Sequence, residues 1–361
     1  VAPYAYRPIP PLLAGFISNF AGRSVVAGFR VVTYVGLINQ LVLVFALARQ
    51  FTRQQWVAWM VMVVIGLSTY HVKFLLFDIY RPDSLAYSLI LVGMLAFIRR
   101  NITTHAVESK KKEEVFYDLI ILAVAVFGML VREFCAIPAA LLAFRLLRDF
   151  RQTRRVWLLI EAVIVVGVVA AAYWLPRQII QVGRSDLLLD VDEGGFFGIV
   201  TNLTHNSNII LGVLIYLLPL IALLTPQRAE RLWARLDGLR VDLGLYALIV
   251  VALTMIGGTD IARFVVYLFV PLIITLTIVL DEGVHWLEMV YMLAATAIYN
   301  RIIAPVPQEN LEAYLDFYIV WDNRISGTTL LRGVELAAWF AGMWALRWGL
   351  LSRKEGISNV D

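Results

Sequence analysis

Arg7, Asp78, Arg81, Asp83, Arg132, Glu133, Asp260 and Arg263 stand at the ends of hydrophobic runs, where charged chemistry meets apolar chain. A carboxylate in such a place can take the proton of an incoming hydroxyl, and a guanidinium can hold a phosphate leaving group. Together the set fits general-base and electrostatic roles. Asp78, Asp83 and Glu133 are the candidate catalytic acids. Arg7, Arg81, Arg132 and Arg263 are the candidate phosphate-binding cations, and Asp260 is a further candidate site residue. Arg132 and Glu133 are the most telling, because GMLVREFCAIPAALL sets adjacent opposite charges between two apolar runs with almost no loop. Ionisable groups there are costly unless they pair or line a cavity. The plainer reading is that the two cap a tight hairpin and pair with each other or a neighbour.

The other two clusters divide in the same way. Asp78, Arg81, Pro82 and Asp83 run straight into an apolar stretch that stops at Arg99 and Arg100. Pro82 and Asp83 suit a helix start, since proline loses no needed N–H there and the aspartate faces the positive end of the helix dipole. Gly257, Gly258, Thr259 and Asp260 free the backbone to approach a phosphate at a helix N-terminus, but they read equally as a turn with an N-cap. Arg263 would grip a phosphate bidentately or snorkel to the interface.

The elements that must position these residues follow from composition. A chain of 361 residues that is 60% hydrophobic and 16% charged, with mean hydropathy +0.77, has too little polar surface to cover a soluble globule. It is read as an all-α polytopic transmembrane helical bundle forming a single transmembrane domain over residues 1–361. Spans are expected at about residues 31–48, 55–70, 83–98, 116–131, 134–147, 156–174, 208–225, 243–257, 263–280, 285–300 and 332–350, about eleven membrane helices in all. Residues 1–30 read as an outer interfacial segment carrying Leu12, Leu13, Phe16, Ile17 and Phe20, and 175–207 and 301–331 as extracytoplasmic loops. There is no internal repeat.

Basic clusters such as Arg99 with Arg100, Lys110 to Lys112 and Arg151 to Arg155 fall in alternate loops. By the positive-inside rule those loops face the cytoplasm, and the chemistry-bearing residues face the other side. The runs from Arg99 to Glu114 and from Arg148 to Arg155 read as solvated anchors against anionic lipid. The surplus of +4 therefore calls for no nucleic acid. Cys135, the single cysteine, excludes an internal disulfide, and four scattered histidines argue against a structural zinc or haem. His71, His205 and His285 read as helix-end interface residues.

No metal ligand set and no cofactor are assigned. A divalent cation stays open at Asp190, Asp192 and Glu193, which also read as a solvated acidic loop. Trp56, Trp59, Trp157, Trp174, Trp286 and Trp321 fall near span ends as an aromatic belt. Tyr314, Phe317, Tyr318 and Trp321 repeat at helical spacing, as a platform for an acceptor sugar or as a lid packed on the bilayer.

Four segments carry a resemblance. PYAYRPIPPLL from Pro3, DIYRPDSLAYSL from Asp78, LVREFCAIPAALL from Leu130 and GGTDIARFVVYLFVPL from Gly257 together resemble the GT-C superfamily of integral-membrane glycosyltransferases, and more narrowly its polyprenyl-phosphate-sugar-dependent bacterial members. The resemblance implies a many-helix enzyme of the cell membrane, in bacteria the inner membrane, with its active face extracytoplasmic. It would move a sugar from a lipid-linked donor to an extracytoplasmic acceptor. It also implies a principal catalytic base upstream of the segment around Tyr6, Arg7 and Pro8, so the base is expected upstream of Val1, in a part of the protein this sequence lacks.

The partners expected are the lipid-linked sugar donor and membrane lipid, with other membrane subunits left open. A non-catalytic subunit of a larger membrane complex is the main alternative. A secondary transporter fits less well, because repeated halves are missing.

Overall fold

The computed structural model describes residues 7–68, 71–81, 83–103, 111–179, 203–256, 264–304 and 327–358, and every regular element among them is helical. An apolar surrounding leaves the backbone no other partner than itself, and a helix closes those bonds within each segment. In chain order the α-helices are α1 (Ile9–Ala21), α2 (Val25–Ala48), α3 (Gln55–Gly66), α4 (Lys73–Phe77), α5 (Asp83–Thr103), α6 (Lys111–Met129), α7 (Ile137–Thr153) and α8 (Val156–Ile179). They continue with α9 (Leu203–Tyr216), α10 (Leu218–Leu223), α11 (Pro226–Arg235), α12 (Arg240–Ile256), α13 (Phe269–Asp281), α14 (Trp286–Tyr299) and α15 (Gly327–Ser358).

Val25–Ala48, Val156–Pro176 and Asp237–Met255 are long and apolar enough to cross a membrane. Ile9–Ala21, Gln55–Gly66, Val266–Asp281 and Trp286–Tyr299 are shorter apolar helices. The helices lie where the apolar runs predict them, with instructive differences. The run at 208–225 is two helices, because Pro219 in the first turn of α10 cannot continue α9. The loops expected at 175–207 and 301–331 are narrower than their sequence suggests, since α8 runs on through Pro176 to Ile179 and α15 begins at Gly327. Residues 180–202 and 305–326 within them lie outside the described residues.

The chain forms two compact units, one of Val1–Leu47, Phe74–Asp192 and Val241–Ile249, the other of Ala48–Lys73, Glu193–Arg240 and Val250–Asp361. In the first, α5, α6, α7 and α8 pack against one another, with a 3-10 turn, Glu133–Ala136, joining α6 to α7. Close approach depends on missing side chains. A Cβ on Gly93 would crowd Pro138 and Val124, and one on Gly36 would crowd Ser84. At the far end of α5, Arg100 is 5% exposed and its Nε lies 2.5 Å from Asp118 Oδ1. Arg100 is therefore no solvated anchor; it answers a carboxylate on the apolar helix α6. Helix α1 exposes Leu12, Leu13, Phe16 and Phe20 and ends at Gly22, whose φ of 60° is left-handed.

The second unit is built on α13, buried along most of its length and packed by α3, α10 and α11. Glu288 on α14 is gripped by Arg228 at 2.7 Å and Arg347 at 2.6 Å. His71 differs from its expected place at an interface: it is fully buried, with Nε2 2.7 Å from the Tyr216 hydroxyl and its ring against Phe269. His285 does sit at a helix end, where it caps α14 by accepting from the Leu287 N–H. Lys73 donates to the carbonyls of Arg301 and Ala304 beyond α14. Burial, and then the positive charge of Arg301, hold its ammonium below the ordinary lysine value.

Candidate functional site

The first unit brings four of the candidate residues together from three separated parts of the chain. Asp83 opens α5, and the segment before it is pinned from two sides. Thr33 on α2 donates to the Ile79 carbonyl at 2.9 Å, and Phe29 meets the Tyr80 ring edge-on at 5.2 Å. Arg81 is held locally: its Nε donates to Asp78 at 2.6 Å, and its guanidinium lies 4.2 Å over the Phe74 ring. Such stacking suits a planar, weakly hydrated cation.

The second part is the turn after α6. The N–H groups of Val131 and Arg132 both return to the Gly128 carbonyl, at 2.8 and 2.6 Å, and Arg132 then leaves in an extended conformation with φ −162°. The Cys135 N–H closes on the Arg132 carbonyl at 3.0 Å. Cys135 packs against Gly128 so closely that no Cβ fits there, and its thiol lies 3.7 Å from the Ala86 carbonyl on the first turn of α5. That contact draws the turn onto the start of α5. Arg132 Nε then lies 3.3 Å from Asp83 Oδ1, and each residue is 1% exposed.

Glu133 follows at once and takes a different partner, Arg7 Nη2 at 2.9 Å. The third part, the segment leading into α1, thus joins the cluster across 126 residues of sequence. The Arg7 and Glu133 side chains keep 18% and 28% of their surface open.

The two pairs can do different things. Asp83 and Arg132 are sealed against each other, so neither meets a ligand in this arrangement. They fix the start of α5 and the Glu133 turn. Glu133 and Arg7 are reachable, and a carboxylate beside a guanidinium is the combination that general-base and phosphate-binding roles need. Asp78 and Arg81 form a separate pair in the segment just before Asp83.

The remaining candidates, Asp260 and Arg263, lie outside the described residues, as do Gly257, Gly258, Thr259, Asp190, Asp192, Glu193, Tyr314, Phe317, Tyr318 and Trp321. Among the described residues no three His, Cys, Asp or Glu side chains come together as a metal set. Sequence reasoning missed the Arg7–Glu133 partnership, for which spacing carries no signal. It also missed the Arg228–Glu288–Arg347 grip, for which a lone carboxylate in an apolar helix was the available sign. No protein family, curated protein or solved structure matches the chain.

Proposed function

We propose that this chain is an integral-membrane glycosyltransferase of GT-C type that moves a sugar from a polyprenyl-phosphate donor to an acceptor outside the cytoplasm. In this reading it crosses the membrane about eleven times and keeps its active face extracytoplasmic. The observation that carries the reading is the meeting of Arg7, Asp83, Arg132 and Glu133, three of whose segments also carry the resemblance to that family. Arg7 holds the donor phosphate and disperses the charge that grows on it as the sugar leaves. Glu133 orients the acceptor hydroxyl or the base that takes its proton. Asp83 and Arg132 are positioning residues beneath them. In this reading Arg81, held by Asp78, offers a further phosphate contact.

One feature favours a second reading. Asp83 and Arg132 answer each other's charge inside the fold, which is what a non-catalytic membrane subunit would need for stability alone. Binding separates the two. The full-length protein in neutral detergent is titrated with a polyprenyl phosphate and bound lipid is read by native mass spectrometry. The transferase reading expects saturable binding that Arg7→Gln weakens about tenfold, the size of one lost charge-assisted contact. Binding that is absent, or equal in the variant, leaves the subunit reading.

A further inference from the structure

The second unit holds a cavity of about 470 Å³, lined by the loop 49–54 with Arg235 and Asp281. Three arginines, Arg49, Arg53 and Arg235, line it beside a single lining carboxylate, Asp281. The carboxylate is already engaged: Asp281 takes Arg235 Nη1 at 2.8 Å and the Thr52 hydroxyl on its other oxygen. Arg235 adds Glu282 at 3.2 Å and the Phe51 carbonyl at 3.0 Å; burial acts to lower its pKa, but the bonds and charges of Asp281 and Glu282 carry it above the ordinary value.

The other two cations keep donors to spare. Arg49 spends only Nη1, on the carbonyls of Thr52 at 3.3 Å and Arg53 at 2.6 Å. Arg53 is exposed, and among the described residues no carboxylate pairs with it. The same loop leads into α3, whose N-cap, Gln54, gives no side-chain bond to the helix, so the positive end of the helix dipole adjoins the loop. The flanking aromatic residues set the depth. Trp56 and Trp59 on α3 are 43% and 53% exposed, and Trp233 on α11 is 62% exposed, the placement of rings at a bilayer interface. Helix α11 lies beside the end of α13 with none of its residues buried.

We propose that this pocket binds a phosphate group, carried by the headgroup of an anionic membrane lipid. Guanidiniums with donors to spare are the chemistry that holds phosphate, and the aromatic surround places the pocket at headgroup level. The site is independent of the sugar-transfer reading. Free phosphate shares the chemistry, and the test separates the two sources.

The full-length protein in neutral detergent is titrated separately with phosphatidylglycerol, phosphatidylcholine and inorganic phosphate, and retained ligand is read by native mass spectrometry. Three proteins are compared: wild type, Arg53→Gln and Arg49→Gln/Arg53→Gln. Among the described residues the Arg53 side chain makes no hydrogen bond or ion pair, so its variant keeps the fold even if loss of Arg49 disturbs the loop. The expected result is phosphatidylglycerol held in preference to phosphatidylcholine, about tenfold weaker in Arg53→Gln, with free phosphate a poor competitor. Inorganic phosphate that binds as tightly as the lipid overturns the headgroup assignment. Phosphatidylglycerol binding equal in wild type and Arg53→Gln overturns the site itself.

Discussion

Replacing Asp83 with asparagine removes a charge and almost no volume, at a residue 1% exposed and 3.3 Å from the Arg132 guanidinium. Arginine cannot shed its proton to escape. The variant therefore leaves a buried cation beside a neutral amide, and breaking a buried pair in this way costs ~3–5 kcal/mol. Arg132→Met has the mirror effect, stranding the Asp83 carboxylate. The double variant Asp83→Asn/Arg132→Met removes both charges and should lose far less, on the order of 1 kcal/mol, because a flexible apolar chain fills the space of the arginine stem. The coupling between the two sites, the double less the sum of the singles, is then about 5–9 kcal/mol in magnitude, above the ~0.5–3 kcal/mol usual for residues in contact. The more open Arg7–Glu133 pair gives an internal control: Arg7→Gln should cost only about 1 kcal/mol. Reversible unfolding in mixed micelles, followed by tryptophan fluorescence, measures all four. Single variants at Asp83 and Arg132 that each cost under about 1 kcal/mol would refute the reasoning, as would a double variant no better than the sum of the singles.

Gly128→Ala should destabilise by about 1–3 kcal/mol, because its methyl overlaps Cys135 at the tightest point of the turn. The same unfolding measurement checks it, and Gly167→Ala, where a Cβ meets nothing within 4 Å, is the control. Glu288→Gln strips the carboxylate from between Arg228 and Arg347 and should cost about 3 kcal/mol, read as a lower midpoint of thermal unfolding in detergent.

The helices were legible in the sequence because an apolar run without turn residues has no other way to satisfy its backbone. The break at Leu217 was missed by the expectation of one span over 208–225, although Pro219 is its local sign. Arg132 and Glu133 were legible for a related reason, since two charges wedged between apolar runs demand partners. Which partners they take was not. Asp83 and Arg7 are reached through packing, by way of Gly128, Cys135 and Ala86, and no local pattern encodes that path. Arg100 misled for the opposite reason. A basic residue at a helix end looks like a lipid anchor, and only the neighbouring helix shows the Asp118 that claims it. His71 misled in the same way, because Tyr216, its partner, is 145 residues distant.

The most direct measurement of the central claim is sugar transfer itself, with the full-length protein in proteoliposomes supplied with a labelled polyprenyl-phosphate sugar and a hydroxyl acceptor. The account predicts transfer by wild type and a loss of about 10²-fold in kcat/KM for Glu133→Gln, whose half-open side chain can be neutralised without unfolding the protein. Transfer at the wild-type rate in Glu133→Gln, or none from wild type that demonstrably binds the donor, would contradict it.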